Sequence, residues 1–114
     1  MGAERFVCEW LQTRGWTVIE RNFRTRRSEI DIIAKNNGIL IFVEVKFASD
    51  GSRTMPLEKI DLKKQTRITR AAAFYLMKHN SQDQIRFDVA VVRGTSSEFR
   101  MATYLEDAFR PEPL

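Results

Sequence analysis

The chain contains one cysteine, Cys8, and one histidine, His79. A single thiol excludes an intrachain disulfide and argues against a cysteine-based zinc site. A lone imidazole argues in the same way against a histidine-rich metal site. No apolar run approaches the ~20 residues that a helix needs to cross a bilayer. The N-terminus lacks the apolar core of a signal peptide. These absences lead us to expect a cytoplasmic protein in a reducing compartment, with no membrane partner. Internal repeats and low-complexity segments are also missing.

What is present suits one compact domain. The length is 114 residues, 43% of them hydrophobic and twelve of them aromatic, so a substantial core is available. We expect residues 1–109 to form this domain and 110–114, with two prolines, to be a tail. Charged residues make up 30%, with a net charge of +4 and a pI of about 9.6. Mild basicity favours polyanionic partners such as nucleic acid. The positive charge is clustered: Arg21, Arg24, Arg26 and Arg27 in one segment, Lys63, Lys64, Arg67 and Arg70 in another.

The periodicity predicts a first helix over Ala3–Arg14, with Ala3, Phe6, Val7, Trp10 and Leu11 as its apolar stripe and Gly15 as its terminator. Trp16–Phe23 reads as a strand, followed by the basic connection Arg24–Arg27. A longer irregular stretch, about Ala48–Lys59, carries Asp50-Gly51-Ser52 and Pro56; loops of this length often cover substrates. Asp61 is placed to cap a second helix running to about His79, with Ile68, Ala72, Tyr75 and Leu76 on its buried side. Ile85–Val92 has the near-continuous apolar character of a strand covered on both faces, interrupted by Asp88, for which the sequence offers no partner. Phe99–Leu105 reads as a weaker edge strand. A helix between the strand ending near Lys46 and the Ile85 strand has the form of a crossover between parallel strands, which predicts a mixed sheet.

The most informative stretch is Ser28–Phe47. Two apolar runs flank Asn37-Gly38, a pair that tolerates the positive φ of a two-residue hairpin. In that register Asn36 faces Ile39, Asp31 faces Glu44, and Glu29 faces Lys46. Strict alternation puts these four charged residues on one face with Ile33, Leu40 and Phe42, and puts Ile30, Ile32, Val43 and Val45 on the other. Two carboxylates facing each other repel, and a cation between them relieves the repulsion. Their hard oxygens suit Mg²⁺ or Mn²⁺, which keep water positions open for a phosphate. Lys46 projects from the same face and could hold an attacking water or neutralise a developing phosphorane. A plain cross-strand ion pair between Lys46 and Glu29 is the alternative on spacing alone.

Ser-Glu-Ile-Asp at 28–31 and Phe-Val-Glu-Val-Lys at 42–46 resemble the bipartite motif of the PD-(D/E)XK nuclease superfamily. More closely, the chain resembles the YraN-like uncharacterised family, described as endonuclease-like and related to Holliday junction resolvases. Supporting matches are Ala3-Glu4, Arg21-Asn22-Phe23-Arg24, Lys64-Gln65, Ala72 with Tyr75-Leu76, and Arg86-Phe87-Asp88-Val89. Ser28 stands where that family usually has glycine. The resemblance implies an α/β fold with a restriction-endonuclease-like αβββαβ core, a central mixed sheet flanked by helices. It implies a Mg²⁺- or Mn²⁺-dependent endonuclease acting on DNA, with branched or damaged DNA as candidate substrates. Asp31, Glu44 and Lys46 fall on its motif positions, with Asp31 and Glu44 as metal ligands and Glu4 and Gln65 as accessory site residues. Arg24, Arg26, Arg27, Lys63 and Lys64 are the expected phosphate contacts. A homodimer is compatible with this reading. Two rivals remain at this stage: a non-catalytic nucleic-acid-binding module that keeps a relic metal site, and a protein-interaction domain whose basicity is incidental.

Overall fold

The computed structural model describes residues 2–52 and 60–111. Its elements are α1 (Ala3–Gln12), β1 (Thr17–Arg24), β2 (Glu29–Asn36), β3 (Ile39–Ser49), α2 (Leu62–His79), β4 (Gln84–Gly94) and β5 (Phe99–Leu105). All five strands form one sheet in sequence order. β3 and β4 pair in parallel, joined through α2, and the other neighbours are antiparallel. The fold is the expected α/β arrangement, a mixed sheet with a helix on each face, compatible with a restriction-endonuclease-like core.

Local chemistry explains the helix ends. α1 stops at Thr13, and the chain turns through Gly15 at φ 93° before the Trp16 amide donates to the Leu11 carbonyl at 3.1 Å. At the start of α2, Asp61 accepts a 2.8 Å hydrogen bond from the Lys64 amide. Asn80, left-handed at φ 48°, ends it. Fully buried Ala71 and Ala72 let α2 lie close on the sheet. It covers Phe23, Ile30, Ile33, Phe42 and Phe87, while α1 covers Ile32, Ile41, Val43, Ala90 and Val92. β3 continues through Ser49, so the irregular stretch begins later than Ala48. The substrate-covering expectation concerns mainly residues 53–59, which lie outside the described residues.

The central hairpin keeps its predicted phase and loses its strict alternation. Asn37 and Gly38 adopt φ 49° and 77°, and the ladder runs from Asn36↔Ile39 to Ile32↔Val43. Beyond it Ile30 packs on the α2 side with Ile33 and Phe42, whereas Ile32 packs on the α1 side. The change of face falls at Asp31. Its Oδ2 accepts the Val45 amide at 2.8 Å, so a side chain takes the hydrogen bond of a β3 backbone group and β2 leaves the ladder. β1 bends in step: left-handed Asn22, φ 52°, lies between the pairs Arg21↔Ile32 and Phe23↔Ile30.

Asp88, 1% exposed, has the partners that the sequence did not reveal. Arg86 grips it bidentately at 2.9 Å through both Nε and a terminal nitrogen. The Tyr104 hydroxyl donates at 2.7 Å and the Asp107 amide at 2.9 Å. Trp10 of α1 stacks on Tyr104 with ring centroids 4.8 Å apart, so the network anchors α1 and β5 to β4. Tyr104→Phe removes one donor to a buried carboxylate and is expected to lower unfolding stability by ~1.5–3 kcal/mol, read as a lower denaturation midpoint with an unchanged m-value.

Candidate active site and cationic groove

The parting of β2 from β3 opens a cavity of about 330 Å³ lined by Glu4, Asp31, Glu44, Lys64 and Arg67, among others. These residues arrive from four elements, Lys64 and Arg67 both from α2. Glu4 comes from the first turn of α1, Asp31 from the point where β2 leaves the ladder, and Glu44 from β3. Lys64 comes from the first turn of α2, where the Asp61 cap fixes its backbone.

Glu44 is only 7% exposed. Its carboxylate shares a hydrogen bond with Asp31, and the Lys64 ammonium sits on its Oε2. Burial pushes the Glu44 pKa up to about 7; the Lys64 hydrogen bond opposes this, and the charge of Asp31 adds to it. Burial also raises Asp31; the Val45 amide and the Glu44 hydrogen bond hold it down, and neighbouring Glu4 pushes it further up. Below about pH 7 the proton of the pair therefore sits on Glu44. The Lys64 pKa is raised by the carboxylate it touches.

The acidic row extends past this pair. With its amide turned to satisfy both neighbours, the Asn22 nitrogen donates to Glu4 Oε1 at 2.9 Å and to Glu29 Oε1 at 2.8 Å. The left-handed backbone of Asn22 and its bridging amide thus belong to one device. Glu29 also faces Arg24 across β1, with Arg24 Nε 3.7 Å from its Oε1. The expected Glu29–Lys46 register does not form, because the ladder with β3 stops at Ile32↔Val43.

Lys46 stands on β3 beside Val91 of β4, half-buried, two residues beyond Glu44. Gln65 donates to the Ile60 carbonyl at 2.8 Å and lines a separate groove of about 340 Å³ with Thr69 and Arg70. Glu4, Asp31 and Glu44 therefore meet, and Gln65 stands apart from them.

A larger groove of about 990 Å³ adjoins the cavity. Arg24, Arg26 and Arg27 form one wall, and Lys63, Arg67 and Arg70 of α2 form the other. Arg27, Ser28 and Arg67 line both spaces, so the groove leads into the carboxylates. The Ser28 hydroxyl donates to the Arg67 carbonyl at 2.8 Å and ties the walls together. The two basic clusters, separate in the sequence, thus face each other.

The carboxylates fit a hard divalent cation in donor type. Two oxygen-bearing groups line an open cavity, and their mutual repulsion is offset by a proton and the Lys64 ammonium. Among the described residues, no three acidic or imidazole groups gather closely enough to hold a metal ion.

Residues 3–92 match the Uncharacterised protein family UPF0102. The chain belongs to that family. It is 40% identical over 111 residues to a UPF0102 protein of Desulforapulum autotrophicum, covering 96% of this chain and 91% of the relative. A UPF0102 protein of Lachnoclostridium phytofermentans is 37% identical over 108 residues, covering 93% and 90%. One from Thermotoga maritima is 40% identical over 86 residues, covering 75% and 78%. The YraN-like resemblance read from the motifs is thereby met. The UPF0102 match spans Glu4, Asp31, Glu44, Lys46 and both walls of the groove. No helix among the described residues of this UPF0102 chain is long and apolar enough to cross a membrane.

Proposed function

We propose that this UPF0102 protein is a metal-dependent nuclease that hydrolyses phosphodiester bonds in DNA, with branched or damaged DNA among its substrates. The supporting observation is the junction of two spaces: a cavity holding a proton-sharing carboxylate pair, opening into a groove walled by six cations. Arginine forks and lysine ammoniums in such a groove grip phosphates and lead the backbone toward the carboxylates. Asp31 and Glu44 would hold Mg²⁺ or Mn²⁺, which supplies an acidified water and a polarised phosphate. Glu44 would hold the metal as a carboxylate, so binding would release its proton to solvent. Lys46 orients the attacking water, and Glu4 limits how far Asp31 can turn.

A second reading rests on the Lys64 ammonium lodged on Glu44. A lysine that permanently replaces a cation would leave a nucleic-acid-binding module with a relic site. The test is a cleavage screen over linear, nicked, flapped and four-way DNA with Mg²⁺, with Mn²⁺ and with EDTA. Metal-dependent cleavage of any of these substrates supports the nuclease. Salt-sensitive binding without cleavage of any of them leaves the binding module.

The groove has its own test. Each phosphate contact releases counterions, so Arg26→Ala with Arg27→Ala should make the slope of log K against log salt shallower by about 1.8 on duplex DNA. Affinity should fall to a similar extent for all sequences, as measured by fluorescence anisotropy at several salt concentrations. An unchanged slope would place the DNA elsewhere.

A further inference from the structure

One groove residue has no role in gripping phosphates. Phe74 lines the cationic groove and remains 49% exposed. The exposed half of its ring is open to a ligand in the groove. Lys63, Thr66, Arg67, Arg70 and Phe74 follow one another at helical spacing, so they form a stripe along α2 that changes from cationic to aromatic. Its inner side packs tilted against Phe23, with ring centroids 6.3 Å apart, which holds the ring while the rest faces the groove.

Resting on the nucleic-acid reading of the groove, we propose that Phe74 is a stacking platform for an unpaired base of DNA, and that the groove selects DNA with a single-stranded stretch beside the cleaved bond. Bases inside a continuous duplex are stacked on each other and keep their faces hidden. An unpaired base offers a π-face, and an aromatic ring beside phosphate-binding cations is how sequence-tolerant single-strand surfaces are built. The cations fix the backbone and the ring takes the base that the backbone carries. Phe74 lies six residues beyond Ile68, which lines the carboxylate cavity. At 1.5 Å per helical residue this is about 9 Å, or about three nucleotides at the spacing of one strand in duplex DNA. The unpaired base therefore sits a few nucleotides from the bond that enters the cavity.

The experiment compares the natural protein with Phe74→Ala, Phe74→Leu and Phe74→Trp in EDTA, where binding is read without cleavage. The probes are a blunt duplex, the same duplex with a three-nucleotide gap, and the single strand, followed by fluorescence anisotropy. A 2-aminopurine in the gap reports withdrawal of that base from its neighbours. The natural protein is expected to prefer the gapped over the blunt duplex and to change the 2-aminopurine emission. Phe74→Ala should weaken gapped and single-stranded binding about tenfold, leave blunt duplex binding unchanged and lose that change in emission. Phe74→Trp should retain both. Phe74→Leu keeps an apolar side chain against Phe23, so a loss shared by Leu and Ala supports stacking over misfolding. Equal losses on blunt and gapped DNA overturn the proposal while leaving the groove as the DNA surface. Unchanged binding by every variant overturns it in the same way. Failure of the natural protein to bind any of the DNAs overturns both the proposal and the reading on which it rests.

Discussion

Asp31→Asn is expected to melt higher than the natural protein at pH 8 without metal, and to lose most of the stabilisation that Mn²⁺ confers. The amide keeps an oxygen for the Val45 N–H and can donate to Glu44, so shape and hydrogen bonds survive while one charge is removed. The pH dependence has a definite sign. Glu44 has its folded pKa raised to about 7 from an ordinary 4.5, so its ionisation works against the fold. That penalty is absent below pH 4.5, grows as pH rises toward 7, and is complete above it. Asp31 is raised as well, so its charge adds to the penalty over the same direction of pH. The advantage of Asp31→Asn should therefore be largest at pH 8 and fade toward pH 5. About 1 kcal/mol, or roughly 5 °C in Tm for a chain this size, is the expected scale. Mn²⁺ at a hundred times its Kd should stabilise the natural protein by about 2.7 kcal/mol, through binding to the folded state alone. Melting curves in EDTA and in millimolar Mn²⁺ at pH 5 and pH 8 measure both effects. If Asp31→Asn keeps the full metal shift, the cation binds elsewhere and the site is wrong.

The two lysines should separate by function. Lys46→Ala is expected to reduce kcat by about 100-fold or more while leaving DNA affinity within a factor of about two, since its proposed contact is with the attacking water. Lys64→Ala should act through Glu44. Its hydrogen bond lowers the Glu44 pKa, so removing it raises that pKa further and shifts metal binding to higher pH. Single-turnover cleavage, together with Mn²⁺ titrations at several pH values, distinguishes the two. Normal chemistry in Lys46→Ala with abolished chemistry in Lys64→Ala would exchange their roles.

Much of this was legible in the sequence because it depends on local pattern. Asn37-Gly38 set the phase of the hairpin, which carries Asp31 within hydrogen-bond reach of Glu44 although the ladder itself ends at Ile32↔Val43. The Asp61 cap and the apolar spacing located α2. The parts that the sequence hid are long-range. Asp88 looked unpartnered because two of its donors, Tyr104 and the Asp107 amide, lie beyond the next turn. The face change at Asp31 arises from a side chain replacing a backbone partner, which alternation cannot represent. Asn22 was the available clue: an asparagine inside a strand tolerates the left-handed backbone that such a break requires. Lys64 was read as a phosphate contact because its place on Glu44 depends on how α2 crosses the sheet.

Ser28 bears on how such a protein can diversify. One hydroxyl, donated to the carbonyl of Arg67, clasps the two walls of the groove. The carboxylates hang from the sheet and do not depend on that clasp. A single substitution to glycine or alanine would release it and change the calibre of the groove while leaving the reactive pair in place. On the nucleic-acid reading proposed above, lineages that share this scaffold would have a way to set the thickness of the strand or duplex admitted without altering the carboxylates.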